Sequence, residues 1–228
     1  MEVKIIKNKN IQIEEVKMTC DQEIKHLEKP LQSNFFYMMI GGPGSGKTNL
    51  IVNLISRKGK FYYKKFDRIE FWSPSQHTIS KKLKLPDERF HNNLDFDEME
   101  IIINSLKPDT KSLFIFDDCV SSLKKNIQIF LRLIYNRRHL NISIMLVSQV
   151  YNKIPAEIRK CASMLFFFHS NNKKEIDTIF DDFISLSRDD FKFICGLVFK
   201  KAHSFLLIDT LTDKYYSNFD EIQITHSK

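Results

Sequence analysis

A glycine-dense stretch of eight residues, Gly41-Gly42-Pro43-Gly44-Ser45-Gly46-Lys47-Thr48, follows directly on the apolar run Phe35 to Ile40. It matches the pattern G-x-x-x-x-G-K-[ST] at every fixed position and leaves few folds open. Glycines at 41, 42, 44 and 46 let a loop curl until successive N–H groups converge on phosphate oxygens, an approach that side chains would block. The helix expected to begin near Gly46 adds its positive dipole end. Lys47 supplies a charge for the outer phosphates and the Thr48 hydroxyl an oxygen for magnesium. Leu50, Ile51, Leu54 and Ile55 mark the apolar face of that helix. The pattern predicts a site for ATP with Mg2+, built from Gly41, Gly42, Pro43, Gly44, Ser45, Gly46, Lys47, Thr48 and Asn49.

Whether a nucleotide is only held or also cleaved depends on what else reaches it. Leu113-Phe114-Ile115-Phe116 reads as a buried strand and ends in Asp117-Asp118. Ligands of open parallel sheets collect at the carboxyl ends of strands, so Asp117 is expected on the metal and Asp118 on an attacking water. A further apolar strand, Ile142 to Val147, ends in Ser148-Gln149. There a neutral amide can contact the terminal phosphate or position the water, which makes Gln149 the sensor candidate.

The 228 residues, 43% of them hydrophobic, suit one compact domain with a substantial core. Cysteines 20, 119, 161 and 195 show no C-x-x-C spacing and the seven histidines no zinc-like grouping, so reduced thiols are expected. No stretch reaches the length of a membrane span, and Met1-Glu2-Val3-Lys4 leads into no signal-peptide core. A cytosolic setting is expected, and not a secreted form. Thirty-five basic residues against 28 acidic leave a formal +7, a balance that favours polyanionic partners, nucleic acid first.

Along the chain, residues 1–30 read as a polar extension with a strand at Ile11 to Val16, and residues 31–228 as the nucleotide-binding domain. Phe66 to Trp72 reads as a strand closed by the turn Ser73-Pro74-Ser75, and Asp97 to Leu106 as a helix. Leu123, Ile127, Phe130, Leu131 and Ile134 recur at helical spacing and are assigned to the core. Met164 to Phe168 and Phe205 to Ile208 are further strands, and Ser187-x-x-Asp190 opens a short helix. The 20 phenylalanines are assigned to burial rather than to base stacking.

Six segments in order resemble poxvirus-type genome-packaging ATPases, a viral branch of the FtsK/HerA superfamily. They are Gly41 to Thr48, Ile69 to Ser75, Leu113 to Asp118, Arg137-Arg138-His139-Leu140-Asn141 with Ser148-Gln149, Ile154-Pro155-x-x-Ile158-Arg159, and Asn218-Phe219-Asp220-Glu221. The resemblance spans roughly residues 31–222. It implies an α/β, RecA-like P-loop NTPase core: a mostly parallel central sheet flanked by helices, with the sensor strand between the P-loop strand and the Asp117 (Walker B) strand. It also implies a ring homo-oligomer that pumps double-stranded DNA into a capsid, with capsid or portal-like proteins as further partners. At the second acidic position this chain has Asp118, where many related ATPases carry glutamate, so the carboxylate reaches less far. In such rings an arginine commonly meets the neighbouring subunit's γ-phosphate. Arg138 is the first candidate, then Arg159, with Arg137 as a third. A cellular DNA-pumping or helicase ATPase of the same superfamily, or a nucleotide-gated binding module with little turnover, remains the alternative.

Overall fold

The computed structural model describes residues 23–75 and 77–225, so the strand expected at Ile11 to Val16 lies outside the described residues. The chain alternates strand and helix from β1 (Phe36–Ile40) through α1 (Lys47–Ser56), β2 (Arg68–Trp72), α2 (His77–Leu83), β3 (Phe90–His91) and α3 (Phe96–Asn104). It continues with β4 (Ser112–Asp117), α4 (Val120–Lys125), α5 (Ile127–Asn136), β5 (Ile142–Ser148), α6 (Ala156–Arg159) and β6 (Met164–Phe168). Two helices, α7 (Lys173–Phe183) and α8 (Arg188–Val198), precede the closing strands β7 (Phe205–Asp209), β8 (Lys214–Ser217) and β9 (Asp220–Glu221).

The nine strands among the described residues form one sheet in the order β3-β2-β4-β5-β1-β6-β7-β8-β9. The six strands from β3 to β6 pair in parallel, and β7, β8 and β9 continue the sheet antiparallel. The implied position of the sensor strand is met, because β5 lies between β1 and β4.

Period-two alternation explains why the strands read as unbroken apolar runs: both faces are covered. Phe36, Met38 and Ile40 of β1 join a core with Met99 of α3, Leu123 of α4, Phe130 of α5, Ile179 of α7 and Ile194 of α8. Tyr37 and Met39 face the other way, onto Ile51 and Leu54 of α1 and Ile79 of α2. Ile24 and Leu31 pack into this second core too, so the packed region begins no later than Ile24. No helix among the described residues is long and apolar enough to cross a membrane.

Local chemistry sets the element ends. The Asp95 carboxylate accepts from the Asp97 and Glu98 N–H groups at 2.9 and 3.2 Å and starts α3 at Phe96, one residue earlier than the apolar spacing indicated. Ser187 caps α8 as expected, its hydroxyl accepting from the Asp190 N–H at 3.1 Å. The stripe from Leu123 to Ile134 packs in the core but on two helices, because Asn126 leaves helical geometry between α4 and α5 (φ −134°, ψ 46°).

On β2 the fully buried Glu70 carboxylate takes ion pairs from Arg68 and Arg89, both at 2.6 Å, and from His91 at 2.9 Å. Burial works against the Glu70 charge, yet bonds from His91, Arg68 and Arg89 outweigh it and hold its pKa below the ordinary value. Burial likewise works against a charged His91, but Glu70 and Glu98 outweigh it and push its pKa above 6.5. Glu70's contribution to stability is therefore lost as pH falls through its depressed pKa. His91's is present below 6.5 and lost as pH rises through its raised value. The melting temperature of the parent should fall from pH ~6 to ~9, whereas His91→Phe should melt at a nearly constant temperature over that range. An equally steep fall in the variant would remove His91 as the cause.

Candidate nucleotide site

Strand register brings the site together before any side chain is considered. Ile40, the last residue of β1, pairs with Ser148 of β5 and Phe167 of β6, and Asp117 of β4 pairs with Val147. The phosphate loop, the Asp117-Asp118 pair, Gln149 and the tip of β6 therefore share the carboxyl edge of the parallel sheet, where ligands of such sheets bind.

The loop needs its glycines for different reasons. A Cβ at Gly41 would lie 2.6 Å from Phe168 Cβ and 2.7 Å from Ser45 Oγ, closer than atoms can pack. Gly44 (φ 73°) and Gly46 (φ 111°) adopt left-handed conformations that turn the chain into α1. Lys47 is buried and its Nζ donates to the carbonyl oxygens of Gly41 and, at 3.0 Å, Gly42. Thr48 follows in the first turn of α1, half-buried, while Pro43, Gly44 and Asn49 are exposed.

Burial pushes the Lys47 ammonium below its ordinary pKa, and the Asp118 and Asp117 charges offset this in part. For Asp117, burial and then the Asp118 charge raise the carboxyl to about 6, while Lys47 and a hydrogen bond from the Ser73 hydroxyl pull the other way. The Asp117 carboxylate and the Thr48 hydroxyl are hard oxygen donors of the kind magnesium takes. Asp118 is exposed and left-handed (φ 54°), and its carboxylate accepts from Gln149 Nε2 at 2.6 Å. The two candidates for water activation and sensing are thus in direct contact. Burial lifts the adjacent Cys119 thiol to about 12, which leaves it a packing group rather than a nucleophile.

The arginine candidates do not join this cluster. Arg137 and Arg138 precede β5 and sit at the amino edge of the sheet, where Arg137 Nε donates to the Asn34 carbonyl at 2.9 Å and Arg138 is exposed. They face away from this chain's own phosphate loop. Arg159 pairs with Asp182 of α7 at 2.9 Å and lies over the Tyr151 ring at 4.7 Å. Tyr151 donates to the same carboxylate at 2.7 Å. Local pattern marks Ser73 only as part of a turn. Its contact with Asp117 was foreshadowed by its place just beyond a strand that neighbours β4.

A family model described as poxvirus A32 protein matches residues 88–215, more than half of the chain. The chain belongs to the poxvirus A32 protein family. The matched stretch holds Asp117, Asp118 and Gln149 and begins after the phosphate loop, which the register reaches independently. Among relatives of this A32-family chain, the variola virus DNA packaging protein OPG160 is 28% identical over 148 residues, 60% of this chain and 54% of that protein. Its counterpart from vaccinia virus (strain Copenhagen) is 27% identical over the same length. The chain spans about half the length of the curated relatives it matches. B204, the DNA-packaging ATPase of Sulfolobus turreted icosahedral virus, shares the fold with a TM-score of 0.62 at 16% identity, covering 85% of this chain and 99% of B204. The genome packaging NTPase B204 of Sulfolobus turreted icosahedral virus 2, solved with AMPPCP, gives 0.61 at 15% identity, covering 80% and 96%.

Proposed function

We propose that this A32-family chain is an ATPase that drives double-stranded DNA into a viral capsid. The observation that carries this reading is the meeting, at one sheet edge, of Lys47 in its glycine loop, the Asp117-Asp118 pair, and Gln149 bonded to Asp118. The relatives' naming as DNA packaging proteins and the +7 charge support the choice of DNA as cargo.

In this reading Gly41 to Asn49 cradle the phosphates and Lys47 offsets their charge. Thr48 and Asp117 would hold Mg2+, which when bound adds positive charge at the outer phosphates. Asp118 takes a proton from a water whose oxygen bonds to the terminal phosphorus as the bond to the bridging oxygen breaks, releasing ADP and phosphate. Gln149 holds the Asp118 carboxylate in the resting site. A terminal phosphate that draws the Gln149 amide away frees Asp118 to act, so hydrolysis waits for a correctly seated nucleotide. Arg138, exposed and remote from its own loop, is the arginine we assign to a neighbouring subunit's nucleotide in a ring. DNA contacts go to phosphates, since a pump must accept any sequence. Capsid or portal-like proteins at the assembly site complete the machine.

Steady-state ATP hydrolysis with and without long double-stranded DNA tests this. DNA should stimulate turnover, added salt should reduce the stimulation, and Asp118→Asn should lose about a hundredfold or more. Turnover indifferent to DNA would sink the motor reading, and parental turnover in Asp118→Asn would remove Asp118 from the chemistry.

A further inference from the structure

Beside the phosphate loop, on the side away from Asp117, lies a cavity of about 340 Å³. One wall is the loop itself, from Gly42 to Ser45, and the others are the tip of β6 and the turn between α8 and β7 that carries Lys201, Ala202 and His203. Resting on the phosphate-site reading above, we infer that this cavity holds the nucleoside end of the bound triphosphate, with the His203 ring stacked on a purine base.

Sheet order gives the direction. Asp117 and Gln149 stand at β4 and β5, on one side of β1, and the cavity stands at β6 and β7 on the other. A triphosphate with its outer end at Lys47 and Asp117 must send its inner end toward β6, where this space is the continuation of the same loop. Among the described residues no carboxylate lines it, and Lys201 does, as suits an inner phosphate.

The turn is built against the loop. His203 Nδ1 lies 3.2 Å from the Ser45 carbonyl oxygen. Because a carbonyl only accepts, Nδ1 is the donor in this contact, which fixes the ring's orientation. A Cβ at Gly46 would stand 3.3 Å from His203 Cβ, so the turn and the loop are in close contact. His203 is nevertheless exposed and holds a left-handed backbone (φ 63°), a conformation that costs energy for a residue with a Cβ and clusters at ligand clamps. Opposite it, Phe199 meets the His169 ring edge-on with centroids 5.4 Å apart, and both line the cavity. The Ser45 hydroxyl is buried in the shared wall without a hydrogen-bond partner among the described residues, available to a ligand oxygen. Two imidazoles and a phenyl ring offer flat apolar faces, which suit a base gripped by stacking.

Equilibrium binding of ATP and of inorganic tripolyphosphate to the full chain, in magnesium buffer, separates the two ends of the ligand. His203→Asn keeps a residue that tolerates the left-handed turn. Ala202→Trp places a large ring in the cavity from an exposed position. Each variant should bind ATP about tenfold more weakly than the parent, on the scale of one lost base stack, and tripolyphosphate unchanged. Equal weakening of both ligands would show that the turn merely supports the loop and overturn the inference. Unchanged ATP affinity in both variants would overturn it as well. A parent that binds neither ligand would bring down the phosphate-site reading and this one with it.

Discussion

Lys47→Ala protein should melt within a few degrees of the parent and hydrolyse ATP about a thousandfold more slowly. The two halves of this expectation have separate causes. Lys47 is a buried ammonium whose only described hydrogen bonds go to loop carbonyls. Its burial is costly enough to lower its pKa despite two nearby carboxylates. Its removal relieves that cost and leaves two carbonyls that water can reach once the side chain is gone, so the net change in stability is small. Turnover loses the positive charge aimed where negative charge develops as the terminal phosphate departs. The drop should therefore fall mainly on kcat, with a smaller rise in KM. A second readout follows from Asp117. It is held down to about 6 partly by Lys47, so in Lys47→Ala its carboxyl should titrate higher still, readable by carboxyl-resolved NMR. A variant with parental kcat would show that Lys47 only shapes the empty loop.

The phosphate loop was legible because its constraint lies in the backbone: glycines at 41, 44 and 46 answer to sterics and dihedral angles that few alternatives satisfy. The Asp117-Asp118 and Ser148-Gln149 strand ends were legible as buried apolar runs with polar tips. Their adjacency was not, since the order β4-β5-β1 is a matter of three-dimensional threading and came from the family resemblance. What periodicity missed had short elements or distant partners. The break at Asn126 is a single-residue change of backbone inside a continuous apolar stripe. Strands β3 and β9, two residues each, are too short to show a period. The Arg159–Asp182 pair joins residues from separate elements, and nothing local marks it. Arg138 looked close to the sensor strand in sequence, yet it stands at that strand's start, a full strand length from the site. His203 carries no local sequence signal, because its contact with Ser45 spans 158 positions.

Glu70 shows how a charge that local pattern leaves unmarked can dominate the edge of the sheet. In sequence it is one acidic residue between Ile69 and Phe71. In the fold it is fully buried and pairs with Arg68, Arg89 and His91 together. Trp72, two positions on, stacks between His91 and Phe116, with centroids 4.8 Å away in both cases, so the ion network and the aromatic stack share a residue. Glu70→Ala leaves three cationic groups without their common partner and opens space beneath them. Breaking such a buried pair costs about 3–5 kcal/mol. The two arginines retain some exposure and can turn to water, which favours the lower end, about 3 kcal/mol, or roughly 6–12 °C in melting temperature. The same substitution should flatten the alkaline fall assigned to His91, because the bond that most raises its pKa is gone. Since β2 runs on into Ser73, which donates to Asp117, the site should also respond. At temperatures where the variant is folded, its kcat should fall severalfold at most, because Ser73 is held by its own N–H bond to the His91 carbonyl at 2.9 Å. Melting within about 2 °C of the parent would show that Glu70's desolvation cancels its ion pairs. A collapse of kcat in the folded variant would show that the sheet edge, and not the Ser73 hydroxyl alone, sets the position of Asp117.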